Sequence, residues 1–350
     1  MAEQATALVP GGPTTNRSND LFAPVFVVGC QRSGTTALAV MLDRHSRLAM
    51  MPETQFFWSY IKKDRASGGP LTHEAMVRRA IADLFIRQAH LCFDELVTAF
   101  RRFEPTYPNL FRAMMEAYAL RHGKARSAEK SCNHLFNVDE ILRNYPNAKI
   151  ICIMRDGRDV CRSIKNVPWG SHIPWAGLCR QWNWNAHEAL KVQRRLPPDV
   201  FTIVRYEDLM LEPERELRRL CAFIGETFEP AQLEHGTGTD VIPEYELGWK
   251  GKARNKPDPA RVAAWRRNET PEHIAMLNQY MGPALRAWGY PDTQVEGVGL
   301  TRRAQWAARY VPYLPGVFPI ALAANRTLKR LRGVPDRKPV PEAHVTAAQA

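Results

Sequence analysis

The sequence predicts an α/β fold, a three-layer sandwich with a central parallel sheet, helices on both faces and a helical insertion. Three short apolar runs at 25–29, 149–154 and 200–205 have the β-branched pattern of buried strands, and each leads into a helix-like segment. Strands that alternate with helices favour a doubly wound sheet whose functional site lies at the carboxyl ends of the strands.

The first unit begins after Pro24. Its strand at 25–29 passes through a glycine-containing turn into a predicted helix over about 35–44. A short strand at 48–51 follows, so the turn and this strand's end should lie at the same edge of the sheet.

The insertion covers residues 72–122. Its apolar and charged positions alternate at helical spacing and show no strand signal. Pro105 and Pro108 interrupt the pattern, because proline breaks the interior of a helix. We therefore expect two or three helices that form a lid or side layer.

Two further units complete the predicted sheet. The run at 149–154 ends in Arg155-Asp156-Gly157, and a helix is predicted from about 158 to 165. The run at 200–205 precedes a helix that follows Pro213 and presents apolar residues on one face.

Composition is typical of a folded soluble protein. The 350 residues are 45% apolar and 24% charged, which excludes a disordered or collagen-like chain. The seven cysteines show no CxxC pair and no histidine at zinc spacing, which favours free thiols over a disulfide scaffold or a metal site. The first 24 residues contain no apolar signal-peptide core, so a cytoplasmic protein is predicted.

Three segments are expected: a flexible arm over 1–23, a catalytic domain over 24–295 and a basic, apolar tail over 296–350. Much of the net charge of +12 belongs to the tail, where residues 301–340 hold nine Lys and Arg against Asp336. The body is only mildly basic, and no nucleic-acid partner is predicted.

The tail includes a mostly apolar stretch over 306–324. Its three prolines argue against a regular transmembrane helix. Aromatic residues beside Lys and Arg suit peripheral contact with an anionic membrane over 301–340. The alternative is an arm that packs on the body or on a second subunit, as in a homodimer.

The turn after the first strand has the pattern of an anion site. Gly29-x4-Gly34-Thr35 nearly matches the nucleotide loop GxxxxGK[ST], but Thr35 stands in place of the lysine. Backbone N–H groups and the positive end of the helix dipole would converge on one anion there. Arg32 partly replaces the missing cation.

The turn resembles the 5'-phosphosulfate loop of sulfotransferases that use 3'-phosphoadenosine 5'-phosphosulfate (PAPS) as donor. The resemblance implies a P-loop-NTPase-like topology, and it rests on Arg32, Ser33, Gly34, Thr35 and Thr36.

Two later segments resemble the rest of that family's donor site. Arg155 at a strand end and Ser163 eight positions on match the element that binds the 3'-phosphate, and an arginine fork suits phosphate. Tyr206 lies in a segment resembling the family's RYEDL motif, where the tyrosine approaches the nucleotide. The segment 249–254 is a loose match to the loop that covers the adenosine.

Sulfuryl transfer needs a base for the attacking hydroxyl and cations for the leaving group, and it demands no metal. The run from Arg32 to Glu53 resembles the tyrosylprotein sulfotransferase branch and its bacterial relatives, which implies that Glu53 is the base. Lys130, in a Glu-Lys-Ser element, resembles the lysine that supports the bridging oxygen. His134 competes for the base role, but its spacing from Lys130 differs from the cytosolic branch.

The resemblance leaves the acceptor open: saccharide, lipid, small metabolite or tyrosyl hydroxyl. The acceptor pocket is expected from residues 55–122 and the tail. Two other functions stay open as alternatives, a P-loop NTP-dependent kinase or ATPase and a non-catalytic membrane-binding module. The first needs the absent loop lysine and a strand-end aspartate, and the second is supported by the basic tail alone.

Overall fold

The computed structural model describes most of the chain, namely residues 22–60, 72–234, 236, 241–243, 246–291, 297–314, 316–321 and 323–324. The predicted flexible arm therefore lies outside the described residues, except for Phe22 and Ala23. Part of the insertion, 61–71, and the most basic part of the tail, 325–350, also lie outside them.

In the described residues a single sheet of five parallel strands has the order β2-β3-β1-β4-β5. The strands are β1 (Val25–Gly29), β2 (Leu48–Met51), β3 (Arg126–Lys130), β4 (Lys149–Met154) and β5 (Phe201–Arg205). The predicted α/β class with a parallel sheet is confirmed, and β1 is its central strand.

Helices follow the strands in the expected alternation. Up to β4 they are α1 (Thr35–Asp43), α2 (Phe56–Ser59), α3 (His73–Ile81), α4 (Phe93–Phe100), α5 (Tyr107–Arg121) and α6 (Val138–Asn144). After β4 they are α7 (Gly157–Lys165), α8 (Trp175–Arg195), α9 (Tyr206–Leu211), α10 (Pro213–Ile224), α11 (Leu247–Lys250), α12 (Trp265–Asn268), α13 (Pro271–Ala287) and α14 (Leu300–Tyr310).

Short 3-10 helices complete the described elements. They span Ile86–Ala89, Cys132–Asn137, Pro230–Leu233, Gly251–Arg254, Pro259–Arg261 and Val311–Tyr313.

Both faces of the sheet are covered, as a three-layer sandwich requires. Along β1, Val25 and Val27 face one apolar core, while Phe26 and Val28 face the other, because successive side chains of a strand point to opposite faces. All four are fully buried. The continuous apolar runs in the sequence therefore correspond to strands buried on both sides.

The insertion forms helices, as predicted. Among its described residues are three α-helices, α3, α4 and α5. Pro108 lies in the first turn of α5, where a missing N–H costs nothing, and the Thr106 side chain caps that helix by accepting from Asn109 N.

The described part of the tail packs on the body. Trp306 in α14 is buried, its carbonyl accepts from Tyr280 Oη at 2.9 Å, and Tyr310 stacks on Tyr280 with ring centroids 4.8 Å apart. Asn183 of α8 donates to Tyr310 Oη at 3.0 Å. Among the described residues, no helix combines the length and apolar character needed to cross a membrane.

Candidate active site

The turn between β1 and α1 is shaped by backbone that only glycine tolerates. Gly29 has φ 138°, and a Cβ there would lie 2.1 Å from Ile153 O. Gly34 has φ 95°, and its Cβ would lie 2.5 Å from the Tyr206 ring. Both side-chain-free positions let the chain turn tightly, so the first N–H groups of α1 open onto one concave point.

Two polar side chains of this turn, Ser33 and Arg32, are buried or half-buried. Ser33 is fully buried, and in the described part of the chain its Oγ has no oxygen or nitrogen as hydrogen-bond partner. Arg32 has the left-handed φ of 65°. Burial and the nearby charge of Arg155 lower the Arg32 pKa, so two cations face the same small region.

The two predicted phosphate elements meet. Arg32 Nε donates to Ser163 Oγ at 3.1 Å, although the two residues lie on different strand-helix units. Arg155 follows the neighbouring strand β4, and its guanidinium carbon lies 4.2 Å from the centre of the Tyr206 ring. The turn, Arg155, Ser163 and Tyr206 therefore form one cluster, called the donor cluster below, whose full membership is Arg32, Ser33, Gly34, Thr35, Thr36, Arg155, Ser163 and Tyr206.

Arg155 is only partly paired. One nitrogen donates to Arg261 O at 2.7 Å and lies 3.3 Å from Asp159, while Nε is buried and lacks a hydrogen-bond partner among the described residues. Unpartnered buried donors are costly, and a phosphate would satisfy them. The donor cluster therefore fits an anionic ligand.

A buried ion-pair network that sequence reasoning missed fixes this strand end. Arg158 is fully buried, pairs with Asp156 at 2.7 Å and stacks 3.8 Å over the Trp265 ring. Asp156 caps α7, and its own N–H donates to Glu207 at 2.9 Å. The network holds the turn that presents Arg155, and the Arg-Asp-Gly-Arg-Asp spacing alone does not reveal it.

Glu53 and Lys130 lie together at the neighbouring strand ends. Glu53 follows β2, Lys130 ends β3, and these strands pair in parallel. Lys130 Nζ donates to Glu53 Oε2 at 2.6 Å, and the Lys130 side chain is only 2% exposed. The Thr35 hydroxyl lies 3.5 Å from the Cys132 thiol, which brings the donor cluster next to this pair.

A third charged residue, Lys250, completes what we call the catalytic cluster: Glu53, Lys130 and Lys250. Lys250 Nζ lies 3.3 Å from the same Glu53 oxygen and 2.6 Å from Glu246. The loose match of 249–254 to an adenosine-covering loop predicted a different role for Lys250. The Glu–Lys spacing of four at 246 and 250 could have indicated an ion pair, but nothing in the sequence indicated its contact with Glu53.

The lysines control the ionisation of Glu53. Burial alone raises the pKa of a carboxyl, but the charges and hydrogen bonds of Lys130 and Lys250 outweigh it and lower the pKa of Glu53 to about 2. Burial alone lowers the pKa of Lys130, but the charge and hydrogen bond of Glu53 outweigh burial and raise the pKa of Lys130 above its ordinary value. The ligand-free protein thus holds Glu53 as a paired carboxylate.

His134, the other candidate base, contacts Phe57 and Glu129. Its ring is fully buried, Nε2 accepts from Phe57 N at 3.1 Å, and Nδ1 lies 3.1 Å from Glu129 Oε2. Glu129 Oε1 also accepts from Thr54 N at 3.0 Å, which fixes the segment that presents Glu53. The described contacts of His134 are thus with Phe57 and Glu129, beside the segment that holds Thr54.

Within the described residues, no cluster of three or more His, Cys, Asp or Glu side chains has the arrangement of a metal site. The expectation that catalysis needs no metal stays a prediction.

Comparison with known proteins identifies the family. A model described as "Sulfotransferase family" matches residues 24–230, more than half of the chain. The Drosophila melanogaster "Protein-tyrosine sulfotransferase" is 26% identical over 220 residues, which cover 60% of this chain but only 40% of that protein. The human "Carbohydrate sulfotransferase 6" is 23% identical over 348 residues, covering 80% of this chain and 83% of that protein.

A solved structure shares the fold. The sulfotransferase domain of the Synechococcus PCC 7002 olefin synthase superposes with a TM-score of 0.57 at 21% identity, covering 78% of this chain and 96% of that domain. The predicted topology is thereby confirmed. The resemblance to PAPS-dependent sulfotransferases drawn from the sequence is confirmed as well, and the chain belongs to the sulfotransferase family as an enzyme of that class.

Proposed function

We propose that the enzyme transfers a sulfuryl group from PAPS to an acceptor hydroxyl, with Glu53 as the general base. The observation that supports this most is the meeting of two predicted phosphate elements, through Arg32 and Ser163 at 3.1 Å, beside the Glu53–Lys130 pair. PAPS supplies the sulfuryl group and leaves as adenosine 3',5'-bisphosphate (PAP).

The donor cluster would hold the two phosphate positions. Ser33, the N–H groups that begin α1 and Arg32 would bind the 5'-phosphosulfate, and Arg155 with Ser163 would bind the 3'-phosphate. The buried Arg155 Nε supports this assignment, because it lacks a hydrogen-bond partner among the described residues and an anion would supply one.

The catalytic cluster would handle the proton and the leaving oxygen. Glu53 accepts the proton of the acceptor hydroxyl as its oxygen bonds to sulfur, and Lys130 neutralises the oxygen whose bond to sulfur breaks. Both groups are pre-positioned at the ends of β2 and β3, so no large movement is required.

The acceptor is a hydroxyl compound whose class stays open among tyrosyl, saccharide, lipid and small metabolite. The two relatives named above are called a protein-tyrosine and a carbohydrate sulfotransferase, which supports tyrosyl and saccharide hydroxyls as the first to test.

The donor proposal is tested by thermal stabilisation. PAP should raise the melting temperature of the protein, while ATP with Mg²⁺ should not, because Thr35 stands where a P-loop lysine would bind a triphosphate. Stabilisation by ATP with Mg²⁺ but not by PAP would instead support the kinase alternative.

Contact with an anionic membrane is a second proposal, supported by the exposed part of the tail. Val311, Leu314 and Ile320 are exposed, and Arg302 and Arg309 are exposed nearby in α14. The double variant Leu314→Asp/Ile320→Asp should reduce cosedimentation with phosphatidylserine vesicles, and unchanged binding would reject the proposal.

A further inference from the structure

One carboxylate oxygen in the catalytic cluster is shared by two ammonium groups. Glu53 Oε2 accepts from Lys130 Nζ at 2.6 Å and from Lys250 Nζ at 3.3 Å. The other oxygen, Oε1, accepts a long contact of 3.4 Å from Gln55 Nε2. A general base needs a free lone pair aimed at the acceptor proton, and two cations compete with that proton in this arrangement.

Lys250 has a second carboxylate to hold it. Its ammonium is closer to Glu246 Oε2, at 2.6 Å, than to Glu53, and the two residues are four apart in sequence. The contact with Glu53 is therefore the weaker of the two, and Lys250 can leave Glu53 while it remains paired. A buried lysine without such a second partner would be costly to displace.

The segment that presents Lys250 is tied to the donor cluster. Arg32 donates to the carbonyl of Trp249, the preceding residue, at 3.1 Å. Arg32 is also the first residue of the predicted phosphosulfate loop. A phosphate that takes up the Arg32 guanidinium competes with this carbonyl, so donor binding acts directly on the position of Lys250.

We propose that Lys250 is a positioning residue that, together with Lys130, suppresses Glu53 as a base in the donor-free enzyme, and that donor binding lifts this suppression. The donor anion draws Lys130 to the leaving oxygen and Arg32 away from Trp249, and the Lys250 contact with Glu53 loosens. This rests on the proposed roles of Glu53 and PAPS. Its consequence is that the acceptor hydroxyl meets an active base only when a donor is in place.

Several groups face Glu53 and must be considered in any titration. They are Lys130 and Cys132 from β3 and the turn after it, and Lys250 from α11, which Glu246 in turn holds. Burial keeps the pKa of the Cys132 thiol above its ordinary value, so that group stays neutral over the range in which Glu53 would titrate. Displacement of the two lysines is thus what would change the pKa of Glu53.

The test is the carbon-13 NMR titration of the Glu53 carboxyl in the full chain, with the resonance identified by its loss in Glu53→Gln. In the free enzyme Glu53 should stay ionised throughout the acid range in which the fold persists. Saturation with PAP should raise its titration midpoint by about 1–3 pH units, the size expected when a neighbouring cation is withdrawn.

Variants separate the action of Lys250 from the charge of PAP itself. Lys250→Met should raise the Glu53 midpoint without PAP and make the further rise on adding PAP smaller, whereas Lys250→Arg should keep the midpoint low. Lys252→Met, an exposed lysine two residues away, is the matched control and should behave as the wild type. An equal PAP-induced rise in wild type and Lys250→Met would overturn the role of Lys250.

Failure of this inference can be told from failure of the proposed function. If PAP binds, as measured by calorimetry, but the Glu53 midpoint does not move in the wild type, donor control of the base is wrong and PAP binding stands. If PAP does not bind, the proposed donor itself is wrong.

Discussion

The donor cluster and the catalytic cluster lie side by side at one edge of the sheet but are built in opposite ways. The donor cluster keeps a buried donor, Arg155 Nε, without a hydrogen-bond partner among the described residues. The catalytic cluster pairs its charges internally, with Glu53 held by Lys130 and Lys250. Groups that bind an anion can stay unpaired until the anion arrives. Buried groups of opposite charge neutralise each other until a ligand separates them.

Among substitutions that leave Glu53 in place, the largest expected effect comes from Lys130. Lys130→Met removes the cation that we propose neutralises the leaving oxygen, so the rate of sulfuryl transfer at saturating PAPS should fall about 10²–10³-fold. Affinity for PAP should change little, because the donor cluster is intact. Lys191→Met, a surface lysine paired with Glu188, serves as the control, and a Lys130 variant with wild-type turnover would contradict the assignment.

Acid stability probes the same cluster in the ligand-free state. Because the pKa of Glu53 is lowered to about 2, its ion pairs stabilise the fold above the ordinary carboxyl value of 4.5, and this contribution is lost as pH falls from 4.5 towards 2. The loss amounts to at most about 3 kcal/mol. The free energy of unfolding of Glu53→Gln should therefore depend less steeply on pH below 4.5 than that of the wild type, and parallel curves would contradict the depressed pKa.

The donor cluster is tested at Arg155. Arg155→Met should weaken PAP binding about 10–150-fold, the cost of a charge-assisted contact of about 1.5–3 kcal/mol. Binding of adenosine 5'-monophosphate, which lacks the 3'-phosphate, should be unchanged by the same substitution. Arg162→Met, on the helix α7 that follows Arg155 and paired with Glu269, is the control. An equal loss of affinity for both nucleotides would show that Arg155 does not bind the 3'-phosphate.

The smallest expected effect is at Gly34, where the cost of backbone strain can be measured separately from the cost of crowding by Tyr206. Gly34→Ala forces a side chain into the left-handed region and against the Tyr206 ring, at 2.5 Å, whereas Gly123 has φ 63° with no atom within 4 Å of an added Cβ. Each substitution should cost about 1–3 kcal/mol in strain. Gly34→Ala should destabilise the protein more than Gly123→Ala in urea unfolding, and Tyr206→Ala should remove the difference. An equal loss of unfolding free energy in Gly34→Ala and Gly123→Ala would contradict the close contact between Gly34 and the Tyr206 ring.

Four of the strands, β1, β2, β4 and β5, and the turn after β1 were predictable because their patterns are local. An apolar run followed by Gly-x4-Gly indicates both a buried strand and the glycine positions that the turn requires, whereas Glu53 and Lys130 were assigned through the resemblance to the sulfotransferase family. The long helix α8 was not predicted. Its buried positions, among them Cys179, Trp182 and Ala186, follow helical spacing, but charged residues lie between them and obscure the apolar stripe.

The contacts of Lys250 with Glu53 and of Arg158 with Asn278 could not be predicted because these partners are distant in sequence. Lys250 meets Glu53 across 197 positions, and Arg158 meets Asn278 across 120. Only the folded chain brings such pairs together, so spacing alone predicts neither contact. The catalytic cluster is consequently the part of the site that depends most on the structure.

The most direct test of the account is transfer of radiolabelled sulfate from PAPS to tyrosyl, saccharide, lipid and small phenolic acceptors by wild type and Glu53→Gln. We expect labelled product from the wild type and about 10²–10⁴-fold slower transfer by the variant, with equal PAP affinity in both. Full activity of Glu53→Gln, or loss of PAP binding together with activity, would contradict the role of Glu53 as the base.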